Sequence, residues 1–146
     1  MAEQRQVALV TGGGRGIGRA MVLGLLRAGF RVAAVDRDEA PLAELAALAG
    51  PGAALLTLAR DISRPETCAE VVAGVRATLG GIAVLVNNAG VGQGSIRPDN
   101  WRRPIRFWEV AAEDWRRFAA VNVEAIHTLS SAAVPDMLAA KSNSPG

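Results

Sequence analysis

The segment VALVTGGGRGIG, residues 7–18, constrains this chain more than any other: a short apolar run ends at Thr11 and five glycines follow within seven residues. An apolar run of this length stopped by Thr-Gly reads as a buried strand. The helical spacing of Ile17, Ala20, Met21, Leu25 and Ala28 predicts a helix over 16–29 that Gly29 closes. In such a strand–turn–helix unit an early glycine permits the tight turn, and a later one lets a pyrophosphate approach the backbone. A third lets helix and strand pack closely. The helix start then offers unpaired N–H groups and the positive end of its dipole to an anion. A glycine-rich turn without a ligand is the alternative, and the loop alone does not decide between the two.

The rest of the chain repeats the strand–helix rhythm. Strands are expected at 6–10, 31–36, 53–59 and 82–90, with helices at 38–49 and 63–80 between them. Ser63 is the expected cap of the second of these helices, with Pro65 early in its first turn. Near-continuous apolar strands alternating with helices indicate an α/β fold with a parallel sheet covered on both faces. Residues 91–111 carry two prolines and four arginines and read as a long loop. A helix resumes near Glu113, with Phe118, Val121, Asn122, Ala125, Leu129 and Ala132 on one face and Pro135 as its kink or end. The final KSNSPG (141–146) reads as a polar turn.

Asp36 closes the second strand 18 residues beyond Gly18. An acid about 20 residues past the glycines is where a dinucleotide site accepts hydrogen bonds from the adenosine ribose. Asp36 therefore favours NAD, while Arg37 and Arg15 could receive a 2′-phosphate and leave NADP open.

Composition excludes several other classes. With 146 residues, half apolar and about a fifth charged, the chain has the makings of one globular domain, residues 1–146. A net charge of +2 is too small to argue for nucleic acid, even with Trp101, Phe107 and Trp108 set among arginines. No apolar run approaches the ~20 residues of a membrane span, and a single cysteine, Cys68, points to a reducing compartment. The expectation is a soluble cytoplasmic protein with no membrane, nucleic-acid or metal partner.

The motifs TGGGRGIG (11–18), Asp36, RDIS (60–63), NNAG (87–90) and VNV (121–123) occur in one order along nearly the whole chain. In this the chain resembles the short-chain dehydrogenase/reductase family, single-domain Rossmann enzymes that move hydride between NAD(P)(H) and an alcohol or ketone. The resemblance implies that Gly12, Arg15, Gly16, Ile17 and Gly18 surround the pyrophosphate and adjoining ribose. It also implies that Asp61 and Ile62 face the adenine, that Asn88, Ala89, Gly90 and Val121 lie along the cofactor, and that Asn87 braces the fourth strand. Asn122 matches the helix asparagine that holds a water in a proton relay; read alone, it is a buried asparagine bonded to backbone. The resemblance further implies a small alcohol or carbonyl substrate and a homo-oligomer for the complete protein. His127, where the family often has an aromatic residue, is expected at an interface or in the core.

Three catalytic groups of that family have no counterpart here: a serine on a fifth strand, a tyrosine, and a lysine four residues after it. The sequence contains no tyrosine, and Lys141, Ser142 and Ser144 fall in the tail. The expectation is a domain incomplete at its C-terminus, with the fourth strand left as a bare sheet edge and part of the last helix's face exposed. An oxidoreductase truncated before its catalytic residues and a dinucleotide-binding half-domain without turnover both fit this pattern. A third reading gives the long helix an assembly role.

Overall fold

The computed structural model describes residues 5–142. Four parallel strands, β1 (Val7–Thr11), β2 (Arg31–Asp36), β3 (Leu55–Ala59) and β4 (Ile82–Val86), form one sheet in the order β3-β2-β1-β4. Helices α1 (Gly16–Arg27), α2 (Glu39–Ala49) and α3 (Pro65–Leu79) connect them. The chain then runs through a loop with two short 3-10 turns into α4 (Ala112–Ala119), a π turn (Ala120–Glu124) and α5 (Ala125–Ser142).

The central strands are apolar on both faces because both faces are covered. Val7 and Leu9 of β1, with Ala33 and Val35 of β2, meet Val71, Val72 and Val75 of α3 and Leu129 of α5. Their neighbours Val10, Val32 and Ala34 point the other way, onto Val22 of α1 and Leu42 and Leu45 of α2. This two-residue alternation of side chains is what the pleat imposes. Every residue of β1 is buried, whereas Ala83–Val86 of β4 and all of β3 are half-buried, as befits the ends of the sheet. β1 pairs with β2 from Val7↔Arg31 to Thr11↔Val35. Its pairing with β4 shifts register between Val7 and Ala8. The sheet's carboxyl ends therefore lie together, with the change in winding direction falling between β1 and β4.

Several local expectations are corrected. The N-cap of α3 is Arg64 and not Ser63, and no side-chain cap bond is made there. Ser63 instead donates its backbone N–H to Asp61 Oδ1 (2.9 Å), closing an Asx turn. The last helix is interrupted by the π turn, and Pro135 does not end it: α5 continues to Ser142. Two groups from outside, the Arg76 side chain and the Ile82 N–H, brace α5 beside the proline, which interrupts its hydrogen-bond ladder. Arg76 donates Nη2 to the Ala132 carbonyl (2.6 Å) and Nε to both Asp136 oxygens (2.9 and 2.8 Å). Asp136 also accepts the N–H of Ile82 (3.1 Å), tying α5 to the first residue of β4. The turn expected from Lys141 onward does not begin there, and residues 143–146, including Ser144, lie outside the described residues.

His127 is exposed and not a core residue. Cys68 is fully buried on α3, with its Sγ on the Ile62 carbonyl (3.3 Å), and burial pushes its thiol above the usual range. Among the described residues no helix is long and apolar enough to cross a membrane.

Candidate functional site

The end of β1 is joined to the end of β4 by one side chain. Thr11, almost wholly buried, accepts the N–H groups of Asn88 and Ala89 on Oγ1 (both 3.1 Å) and donates to the Val86 carbonyl (3.4 Å). A hydroxyl has one donor and two acceptor sites, so all of its capacity is used. Asn88 returns the tie, donating Nδ2 to the carbonyls of Thr11 (3.0 Å) and Gly12 (3.1 Å). The glycine loop and the NNAG turn are therefore one hydrogen-bonded unit.

Glycine is required in that unit on two separate grounds. Gly12 turns with φ +64°, and a Cβ on it would lie 2.9 Å from the Ala89 Cα. Gly18 is buried in the first turn of α1, where a Cβ would overlap the Gly12 carbonyl and lie 2.5 Å from Asn88 Nδ2. Here helix and strand approach as closely as their backbones allow. Among the described residues no side chain caps α1, and no acid lies in its first turn. Its first-turn amides and the positive end of its dipole therefore have no side-chain partner.

Over these carboxyl ends opens a cleft of about 550 Å³. Gly12, Arg15, Ile17 and Gly18 line it from the glycine loop and α1, and Asp36 and Arg37 from the end of β2. Asp61 and Ile62 enter from beyond β3, Asn88, Ala89 and Gly90 from beyond β4, and Val121 from the π turn. Two predicted residues are not in this wall. Gly16 instead starts α1 with φ +55°. Asn122 is exposed, correcting its reading as a buried residue, and its amide is bound to one backbone unit: Oδ1 accepts the Val91 N–H (2.9 Å) and Nδ2 donates to the Val91 carbonyl (2.8 Å). Asn87 donates Nδ2 to Ser130 Oγ (3.3 Å), while its Oδ1 is buried with no partner among the described residues.

Asp36 is held in place by two backbone amides. Oδ2 accepts the N–H of Gly14 (3.0 Å) and Oδ1 that of Asp38 (3.4 Å), so the carboxylate is fixed at the loop with lone pairs remaining. Arg15 reaches across to Asp38 (2.7 Å), and Arg37 lies 3.6 Å from the same carboxylate.

Three contributors were not foreseen from sequence: Thr11 as the junction, Asp38 as the partner of two arginines, and Arg117. Arg117 lines the cleft and donates Nη2 to Ser95 Oγ (2.9 Å) and Asp114 Oδ1 (3.1 Å), which ties α4 to the loop beyond β4. Thr11 stands in the quoted motif, so its position was available. The other two depend on contacts between distant segments.

Residues 6–144 match the family described as short chain dehydrogenase. The chain belongs to the short-chain dehydrogenase family. Within that family it is 32% identical over 137 residues to 2-(S)-hydroxypropyl-CoM dehydrogenase 3 of Xanthobacter autotrophicus, covering 92% of this chain and 49% of that protein. Among solved structures it resembles a metagenomic short-chain oxidoreductase in complex with NADP, with a TM-score of 0.81 and 35% identity over 93% of this chain and 58% of the other. It also resembles the 3-ketoacyl-(acyl-carrier-protein) reductase from Brucella melitensis complexed with NADH, with a TM-score of 0.78 and 30% identity over 92% of this chain and 51% of the other. The chain spans about half the length of the curated relatives it matches. The Rossmann-type α/β expectation is borne out in the strand order and in these structural likenesses.

Proposed function

We propose that this short-chain dehydrogenase chain is a single NAD(P)-binding Rossmann domain, residues 1–146, of an oxidoreductase that interconverts an alcohol and a ketone. One observation carries the reading: the glycine loop, Asp36, Asp61 and the NNAG turn, distant in sequence, converge on one cleft at the switch point of the sheet. The relatives bound to NADP and NADH support the choice of ligand.

In this proposal Gly12, Arg15, Gly16, Ile17 and Gly18 surround the pyrophosphate at the uncapped start of α1. Asp36 accepts the ribose hydroxyls and favours NAD, with Arg37 beside it leaving NADP possible. Asp61 and Ile62 face the adenine, and Asn88, Ala89, Gly90 and Val121 flank the remainder. The bound dinucleotide supplies or accepts the hydride. Asn122 is the proposed relay residue: with one bond at each amide atom spent on Val91, one N–H and one lone pair remain for a water. A homo-oligomer is proposed for the complete protein on the family likeness alone.

A second reading, dinucleotide binding without turnover, rests on a specific observation: the sequence contains no tyrosine. Calorimetric titration with NAD⁺, followed by assays of NADH absorbance against a panel of secondary alcohols, separates the two. Saturable binding with turnover supports the oxidoreductase. Saturable binding alone supports the binding domain, and the absence of binding overturns both.

A further inference from the structure

Four charged side chains meet where β2 hands over to α2. Asp36 is committed to the loop through the Gly14 N–H, and Asp38 holds the cations. The Arg15–Asp38 contact is a 2.7 Å hydrogen-bonded ion pair between segments 23 residues apart, and Arg37 stands 3.6 Å from the other Asp38 oxygen. All four residues line the cleft, so two carboxylates offset two guanidiniums at this end of it. Arg60, whose backbone N–H donates to the Asp36 carbonyl, turns its own guanidinium back onto the Ala59 carbonyl (2.8 Å).

We infer that Asp38 is a selectivity residue: by pairing with Arg15 and sharing Arg37 it withholds both guanidiniums from a 2′-phosphate and so favours NAD⁺ over NADP⁺. This rests on the cofactor reading proposed above. The physical cause is competition. A phosphate recruits arginine through charge-assisted bonds, but here each guanidinium must first leave a carboxylate, and the dianion must settle beside two negative groups. Without Asp38, Arg15 and Arg37 would both be free for the phosphate, opposed only by the Asp36 carboxylate.

Asp38→Asn tests this with little risk to the fold. Asp38 is the N-cap residue of α2 but makes no side-chain cap bond, and asparagine serves that position as well as aspartate. Binding of NAD⁺ and NADP⁺ is measured calorimetrically for the protein, for Asp38→Asn, and for Asp38→Asn combined with Arg15→Gln. The expected result is a shift of the affinity ratio toward NADP⁺ by about tenfold in the single variant, reduced in the double variant, where Arg37 alone is released, and diminished by added salt. A ratio that stays within about twofold of the parent overturns the inference while leaving the proposed function standing. A gain that persists undiminished in the double variant also overturns it, because Arg15 would then not be the cation released. If the parent protein binds neither dinucleotide, the inference falls together with the cofactor reading.

Discussion

Replacing Thr11 with valine isolates the junction between the glycine loop and the NNAG turn. Valine keeps the shape of the side chain, so the buried site is neither emptied nor overfilled. It removes the oxygen that accepts the Asn88 and Ala89 N–H groups and donates to the Val86 carbonyl. A buried donor left unsatisfied costs about 1–3 kcal/mol. The two bonds of 3.1 Å lie toward the long end of the normal range, so the lower part of that range applies to each. The expected loss is about 2–4 kcal/mol in total, a large share of the ~5–15 kcal/mol typical of a domain. Urea denaturation at a constant slope reports it directly. Thr11→Ser restores the hydroxyl and gives up only a methyl, at about 0.8 kcal/mol. Because Asn88 and Ala89 line the cleft, Thr11→Val also weakens dinucleotide binding. A Thr11→Val protein within about 0.5 kcal/mol of the parent, the range of an ordinary surface change, would refute this account of the junction.

Gly18→Ala forces a methyl into the Gly12 carbonyl; it costs about 1–3 kcal/mol or more in the same denaturation assay and abolishes dinucleotide binding. Its control lies in the same helix: a Cβ on Gly24 meets open space, and Gly24→Ala is expected to stabilise by about 0.5–1 kcal/mol. Asp136→Ala breaks the brace beside Pro135 and costs about 2–3 kcal/mol at neutral pH. The Arg76 hydrogen bond holds the Asp136 carboxyl below its usual range. Its stabilisation is therefore complete above about pH 4, the unfolded value, and is lost as pH falls through the lowered native value. The difference in stability between parent and variant should close in acid and nowhere else.

The sheet was readable in advance because its strands are short apolar runs ended by glycine or polar residues, and the motifs at their ends name the cleft. β2 was placed at residues 31–36 without error, whereas β3 begins at Leu55 and β4 ends at Val86, inside their expected spans. Ends of this kind are set by pairing partners such as Val32↔Leu55, which periodicity does not report. Of the kink or end expected at Pro135, the end does not occur, for a related reason. The proline is tolerated beside a brace supplied by Arg76, 60 residues away from Asp136 in sequence. Asn122 was placed on an apolar face by its spacing, but the π turn adds residues to that stretch of helix and the side chain emerges exposed, against Val91. Asp38 escaped notice because a strand-to-helix aspartate ordinarily caps the helix. Its partner Arg15 becomes a neighbour only once β1 and β2 are paired.

A crystal structure of the protein with NAD⁺ at saturating concentration tests the central claim most directly. The account predicts the pyrophosphate at the start of α1, over Gly12 to Gly18, with the adenosine ribose hydroxyls hydrogen-bonded to Asp36. A dinucleotide bound elsewhere on the surface, or a cleft that stays free of it, would contradict the claim that this convergence of loops is a cofactor site.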